Sequence, residues 1–461
     1  LGMAEAAARL GVTRHAVAVI GDGSATAGMS FEALNHAAHL RSSLRVVLND
    51  NGMSIAPSTG GLHRTGDFRG YVGALGWRYI GPVDGHDLSA LLEAMRKLRE
   101  SDGPALLHVK TKKGHGYPPA ARDPYRWHAT APFDVDSGER SAGSGGALSW
   151  THLFAEALAR LADRDERVVA ITAAMPDGTG LDRFAERHPD RVYDVGIAEQ
   201  HAVTFAAGLA AEGLRPVCAI YSTFLQRAFD QIVHDVALQD LPVTFALDRA
   251  GLVGADGPTH HGAFDLSYLR AIPNLGVAAP RDANELQHLL ATAIDSGRPF
   301  ALRYPRGSAV GRLSDPDPKP LPIGRGALLR EGEDVALVAL GKTVEPALSA
   351  AERLADQGIE ASVVDARFVK PLDARLIEEV ANVTGRVITI EDHALAGGLG
   401  SAVAELSASE RLRVEIRCLG LPDRFIEHGD AGDQWREAGI DSDAIVAAAI
   451  EQVQQPTEGA R

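Results

Sequence analysis

Only two cysteines, Cys218 and Cys418, occur in 461 residues. Each lies in an apolar, strand-like run, which excludes a disulfide framework and fits a reducing cytoplasm. Basic runs are also lacking. Lys and Arg number 46 against 61 Asp and Glu, a formal net charge of −15, which argues against a nucleic-acid partner because phosphate backbones are bound by excess positive charge. Any phosphate must be held by a few local cations. Apolar runs such as 202–211 are broken well short of the ~20 residues of a membrane span, so no membrane association is expected. There is no signal peptide, and Leu1 opens inside an Ala-rich helical pattern, so a chain without its native N-terminus is expected.

What is present is 45% hydrophobic residues over a length beyond the ~250–300 residues at which a single core stops growing. Several domains follow. The first block, 1–136, alternates helical periodicity with β-branched runs at 16–20, 45–48 and 106–110. A Ser/Gly stretch, 137–147, has no periodicity and reads as a linker. The second block, 148–312, has predicted strands at 168–171, 191–195, 217–220 and 243–247. After a Pro-rich linker, 313–323, a third block, 324–461, has strands at 335–340, 361–365 and 386–391 between amphipathic helices. Three doubly wound α/β domains, with mostly parallel sheets and helices on both faces, are predicted.

Gly21-Asp22-Gly23 follows the first predicted strand, and Leu48-Asn49-Asp50-Asn51-Gly52-Met53 follows the second. Ligands of open parallel sheets sit beyond the carboxyl ends of neighbouring strands, so Asp22 and Asn51 can face one point. A carboxylate and an amide oxygen suit Mg²⁺, and glycines beside Asp22 let the backbone approach phosphates. Taken alone, Gly-Asp-Gly reads more readily as a strand-to-helix turn. Glu199, in Gly196-Ile197-Ala198-Glu199-Gln200-His201, is a carboxylate among apolar neighbours, a setting that disfavours the charged form of an acid. Its plainer reading is a glutamate favoured by a helix N-terminus. Arg227, Arg249 and Arg306 each stand just beyond a predicted strand and can converge on a phosphate, although singly each reads as a solvated cation. Gly-rich turns place 248–260 at the surface. Gly397-Gly398-Leu399-Gly400-Ser401 reads as a tight turn opening a helix.

The Gly-Asp-Gly and Asn-bearing strand ends together resemble the thiamine-diphosphate fingerprint, and Ile197 to His201 resembles the glutamate motif of the transketolase superfamily. Asp256-Gly257-Pro258-Thr259-His260 is similar to that whole superfamily. The segments 221–227, 248–254, Arg303-Tyr304-Pro305-Arg306-Gly307 and 367–373 together resemble the deoxyxylulose-phosphate synthase family, and the likeness spans nearly the whole chain. The resemblance implies decarboxylative joining of pyruvate to glyceraldehyde 3-phosphate, a first step toward isoprenoid precursors by the non-mevalonate route, with thiamine diphosphate and Mg²⁺ as cofactors.

By the same resemblance Asp22, Asn51 and the Met53 carbonyl hold the metal, and Gly21, Gly23 and Ser24 approach the diphosphate. Ile197 and Phe224 meet the pyrimidine, on which Glu199 acts. Lys113 and His128 belong to a segment that folds over the cofactor, His128 with a catalytic part. Tyr221, Arg227, Arg249 and Arg306, with Arg303 beside them, bind the acceptor phosphate. Asp256 and His260 contact its hydroxyl and carbonyl groups, His260 as proton donor or acceptor. The three blocks then correspond to diphosphate-binding, pyrimidine-binding and C-terminal domains, the last supporting a homodimer.

The chain departs from the family in two places. Nothing matches a further N-terminal stretch with its His-bearing segment, and only the short segment 56–70 stands where the family has a long helical insertion. Another carboligase, such as a transketolase or the first component of a 2-oxo-acid dehydrogenase, and a shortened non-catalytic relative are the alternatives. A dinucleotide oxidoreductase lacks support, because no Gly-x-Gly-x-x-Gly follows the first strand.

Overall fold

The computed structural model describes residues 1–128, 130, 132–139 and 148–454, so most of the predicted linker 137–147 lies outside the described residues. The chain forms two compact units: Leu1–Gly145 with Ala173–Pro176 and Asp194–Ala198, and Gly146–Thr172 with Asp177–Tyr193 and Glu199–Arg461.

In the first unit β1 (Val17–Gly21), β2 (Arg45–Asp50), β3 (Arg78–Asp84) and β4 (Ala105–Lys110) form a parallel sheet in the order β1-β2-β4-β3. The central pair, β2 and β4, is almost wholly buried, which is why both are apolar runs without alternation. β3 was not predicted. Gly81 and Pro82 interrupt it, and its register slips between Ile80 and Val83, as expected where proline removes a ladder donor.

The second unit holds β5 (Val168–Thr172), β6 (Val192–Asp194), β7 (Arg215–Tyr221), β8 (Thr244–Asp248), β9 (Gly276–Ala278) and β10 (Phe300–Arg303). It also holds β11 (Ala327–Arg330), β12 (Val335–Ala339), β13 (Ala361–Asp365), β14 (Phe368–Lys370), β15 (Arg386–Ala394) and β16 (Glu415–Leu421). They build two sheets, β14-β9-β10-β8-β7-β5-β6 and β11-β13-β12-β15-β16. β14 crosses from the third sequence block to the middle sheet, where it pairs antiparallel with β9. Phe368 explains the crossing: it is fully buried in the middle core and sits edge-on to Phe300, with ring centroids 6.3 Å apart.

Two helices lie together over this core. Trp150–Ala162 begins at Ser149, whose hydroxyl accepts the His152 N–H, and Ala283–Asp295 begins at Asp282, which accepts the Glu285 N–H. Such caps satisfy N–H groups that the first helical turn leaves unpaired. Phe154, Leu158, Leu286 and Leu290 are their buried contributions.

Of the segment expected at the surface, 248–260, Ala255, Asp256 and Thr259 are exposed, whereas 250–254 is buried. The Gly254 N–H donates to Gln434 Oε1 at 2.9 Å, and Gln434 Nε2 donates back to the Gly254 carbonyl at 3.0 Å. Gly251 has φ +78°, and a Cβ there would lie 2.2 Å from Asp392 Oδ2 at the end of β15. Glycine serves close packing here rather than exposure. Among the described residues no helix is long and apolar enough to cross a membrane.

Candidate active site

The carboxyl ends of β1 and β2 present Asp22 and Asn51 side by side. Asp22 opens the one-turn helix Asp22–Ala25 directly after β1, and its carboxylate is fully buried. Oδ1 of Asp22 accepts the Asn51 N–H at 3.3 Å, and Oδ2 accepts the Ser58 hydroxyl at 2.8 Å. Asn51 Oδ1 in turn accepts the Met53 N–H at 3.0 Å. The turn is pinned from below by Asp50, which accepts from Gly52 N–H and meets His108 Nε2 at 2.8 Å. Ser24 is exposed, and Gly21 caps the short helix. A Cβ on Gly23 would lie 2.8 Å from Ser54 Cβ, so only glycine allows this approach.

A buried carboxylate beside an amide oxygen is the donor chemistry that a hard divalent ion takes. Among the described residues no group of three or more His, Cys, Asp or Glu side chains is arranged to hold a metal. A metal here therefore rests on the mixed set of carboxylate, amide and main-chain oxygens.

Lys113 Nζ donates to the Ser54 carbonyl at 2.5 Å. Burial lowers its pKa, and the nearby Asp22 carboxylate works against that shift. His128 lies close by: burial, then the Lys113 charge, lowers its pKa. Ile197 belongs to the stretch Asp194–Ala198 that clusters with the first unit, where the Gly196 N–H donates to Asp194 Oδ1 at 2.9 Å.

Glu199 opens the helix Glu199–Ala211 in the second unit, with only 3% of its side chain exposed. Arg227 Nη1 donates to its Oε1. A column of rings adjoins this pair. Phe224 stacks on Tyr221 with centroids 5.3 Å apart and meets the His260 ring edge-on at 5.5 Å. The Arg227 guanidinium stands 5.2 Å from the Phe224 centroid, and that of Arg249 stands 4.1 Å from the Tyr221 centroid.

The arginines part company. Arg249, just after β8, has φ +60°, a strained setting for a non-glycine residue. It is held by Asp248 Oδ1 at 2.9 Å and the Gly178 carbonyl at 2.6 Å. Burial pushes the Asp248 carboxyl up, against the pull of Arg249. Arg306 donates to the Val253 carbonyl at 2.7 Å and stands 3.4 Å from Asp256. Arg249 and Arg306 both line a cavity of about 730 Å³ within the second unit. Arg227 does not line it.

Arg303 does not either. Its guanidinium is buried, donating to Asp265 Oδ2 at 2.9 Å and to the carbonyls of Gly262 and Asp392. Its side chain serves the join between the two sheets, with Nε and Nη2 both engaged there, and it does not line the cavity that Arg249 and Arg306 share.

Several participants gave no signal in the sequence. Ser58 and His63, which stands 3.5 Å from Asp22 Oδ2, come from the short segment 56–70. His63 faces Asp22 through Nδ1, and its Nε2 is buried with no hydrogen-bond partner. Arg183 and Lys342 add charge to the large cavity. Neither could be read from strand ends, because Arg183 lies on the helix Leu181–Arg187 and Lys342 comes from the third block.

Comparison with known proteins gives a consistent set of likenesses. Residues 1–67 and 68–111 match the family described as 1-deoxy-D-xylulose-5-phosphate synthase, 146–310 the transketolase pyrimidine binding domain, and 324–445 the transketolase C-terminal domain. A 1-deoxy-D-xylulose-5-phosphate synthase 1 of Geobacter sulfurreducens is 51% identical, the match covering 97% of this chain and 78% of that protein. The synthase of Aquifex aeolicus is 50% identical over 94% of this chain and 76% of its own length. A solved split-gene transketolase, an inactive beta4 tetramer, superposes with a TM-score of 0.60 at 34% identity, covering 67% of this chain and 99% of that one.

Proposed function

Because the chain belongs to the 1-deoxy-D-xylulose-5-phosphate synthase family, we propose that it joins pyruvate to D-glyceraldehyde 3-phosphate with loss of carbon dioxide, giving 1-deoxy-D-xylulose 5-phosphate. The carrying observation is the 51% identity to a named synthase over 97% of the chain. Transketolases share the pyrimidine and C-terminal domains, but the match over 1–67 and 68–111 is to the synthase. A transketolase or dehydrogenase reading is therefore not favoured.

Family membership brings dependence on thiamine diphosphate. That cofactor supplies a nucleophilic carbon and a sink for the electron pair released with carbon dioxide. Asp22, Asn51 and the Met53 carbonyl would hold Mg²⁺, and Gly21, Gly23 and Ser24 would approach the diphosphate; the buried Asp22 carboxylate, hydrogen-bonded to the Asn51 main-chain N–H, supports this. Glu199 would hold or release a proton at the aminopyrimidine ring, and Phe224 and Ile197 are the apolar side chains proposed to contact it. Lys113 and His128 cover the cofactor.

Arg249 and Arg306 take the acceptor phosphate, with Tyr221 beneath Arg249. Their shared cavity supports the assignment, as guanidinium forks suit phosphate oxygens. Asp256 orients an acceptor hydroxyl, and His260 holds or releases a proton at its carbonyl oxygen. The blocks 1–136, 148–312 and 324–461 are assigned to diphosphate binding, pyrimidine binding and dimer support, in a cytoplasmic homodimer that light scattering would register at twice 48.7 kDa.

Calorimetry with thiamine diphosphate and Mg²⁺, followed by carbon dioxide release in Glu199→Ala, tests the reading. Cofactor binding is expected to survive largely, while turnover falls by ~10²–10⁴-fold, the usual contribution of a positioned acid or base. Unchanged turnover would remove Glu199 from the mechanism.

A further inference from the structure

Arg227, like Arg303, is a predicted phosphate ligand that faces an acid instead of the cavity. Its Nη1 donates to Glu199 Oε1, and its guanidinium also rests on the Phe224 ring. The pairing is long-range, 28 residues apart, and is built by packing: the one-turn element Gln226–Ala228 lies against the helix Glu199–Ala211. Glu199 is buried, whereas the Arg227 side chain is half exposed.

Cys218 of β7 also feels this acid, its thiol pushed up to about 12 by burial and by the Glu199 charge. Arg227 is the cation that pairs with Glu199 within this unit. A buried carboxylate without a counter-ion is costly, and a planar fork seated on an aromatic ring fixes its partner's orientation as well as its charge.

Resting on the carboligase reading, we infer that Arg227 is a positioning residue: it holds the Glu199 carboxylate in the orientation from which that acid acts, and leaves the acceptor phosphate to Arg249 and Arg306. Two consequences separate this from a phosphate ligand. Loss of Arg227 must disturb a step that needs no acceptor, and it must be felt in the protein without cofactor through Glu199.

Three variants test it: Arg227→Met, Arg227→Lys and Arg227→Met combined with Glu199→Gln. In the protein without cofactor, Arg227→Met lowers the urea midpoint, and adding Glu199→Gln recovers most of the loss, because the stranded carboxylate is gone. In the holoenzyme without acceptor, deuterium exchange at the thiazolium C2 carbon, read by quenched-flow NMR, slows by ~10-fold or more in Arg227→Met and is partly restored in Arg227→Lys. In turnover kcat falls, while KM for glyceraldehyde 3-phosphate stays within ~2-fold.

Additive stability effects, or intact C2 exchange with a KM that rises for glyceraldehyde 3-phosphate and not for unphosphorylated glyceraldehyde, overturn the inference in favour of a phosphate ligand. The wider reading fails separately: C2 exchange unaffected by Glu199→Gln alone removes the acid itself. Exchange slowed by Glu199→Gln but not by Arg227→Met sinks only the positioning role.

Discussion

An arginine at a strand end looks the same in sequence whether it lines a cavity or is enclosed in the core, and Arg249, which lines one, and Arg303, which does not, divide on that point although each pairs with a buried carboxylate. Arg303 donates to Asp265, which is buried at the join between two sheets. Arg303→Met should therefore cost about 3–5 kcal/mol in urea unfolding, the usual penalty for stranding one member of a buried pair, with KM for the acceptor unchanged. Arg249→Met should lose stability through Asp248 and raise that KM as well; an unchanged KM would take Arg249 out of the phosphate pocket. Asp22 and Asn51 were legible because both are polar residues at the ends of apolar strands, and the register of β1 on β2 brings them together. Ser58 and His63 were not, since a loop closing back on a carboxylate has no periodicity. Asp22→Asn should weaken thiamine diphosphate and Mg²⁺ binding by at least ~10-fold in calorimetry, no less than the loss of an outer-shell partner costs.

Strands that are buried on both faces announce themselves as apolar runs, and β2, β4, β5, β7, β8, β12 and β13 were all foreseen within two residues. The strands that escaped are short or lie at an edge. β9 and β14 have three residues each, and β16 is only partly buried along Glu415–Cys418. The turn at Gly397 to Ser401 does open a helix, Leu399–Glu410, and the cap comes from a distance: Glu391 of β15 accepts the Leu399 and Gly400 N–H groups at 2.7 and 2.8 Å. Its neighbour His393 is fully buried, accepting the Leu266 N–H at 3.1 Å, and burial pushes its pKa down to about 4. The folded state then binds fewer protons than an unfolded chain whose histidine titrates near 6.5. Stability from His393 is complete above about pH 6.5 and is lost as pH falls toward 4. Burial raises the Glu391 carboxyl to about 7, which gives the opposite slope, so the difference between the wild type and His393→Asn isolates the histidine. Urea midpoints should converge between pH 7 and pH 4.5 in that comparison; a constant gap would contradict a neutral buried imidazole.

At the scale of the whole molecule the three sequence blocks do not map one-to-one onto compact units. The second and third blocks share a unit because β14, Arg303 and Gln434 tie their sheets together, and long-range pairings of this kind leave no local mark in a sequence. The short segment 56–70 also has a counterpart in the comparisons. The aligned span with the Geobacter protein is 494 residues against a chain of 461, so that relative carries residues without partners here. The synthase match breaks between 67 and 68, inside the same segment. The segment nevertheless reaches the proposed metal site, because its Ser58 and His63 stand against the Asp22 carboxylate. The most direct test supplies the protein with thiamine diphosphate, Mg²⁺, pyruvate and D-glyceraldehyde 3-phosphate, and follows carbon dioxide and sugar phosphate together. One carbon dioxide released per molecule of 1-deoxy-D-xylulose 5-phosphate formed, with both substrates required, is the expected result. Two-carbon transfer from a ketose phosphate without carbon dioxide release would contradict it.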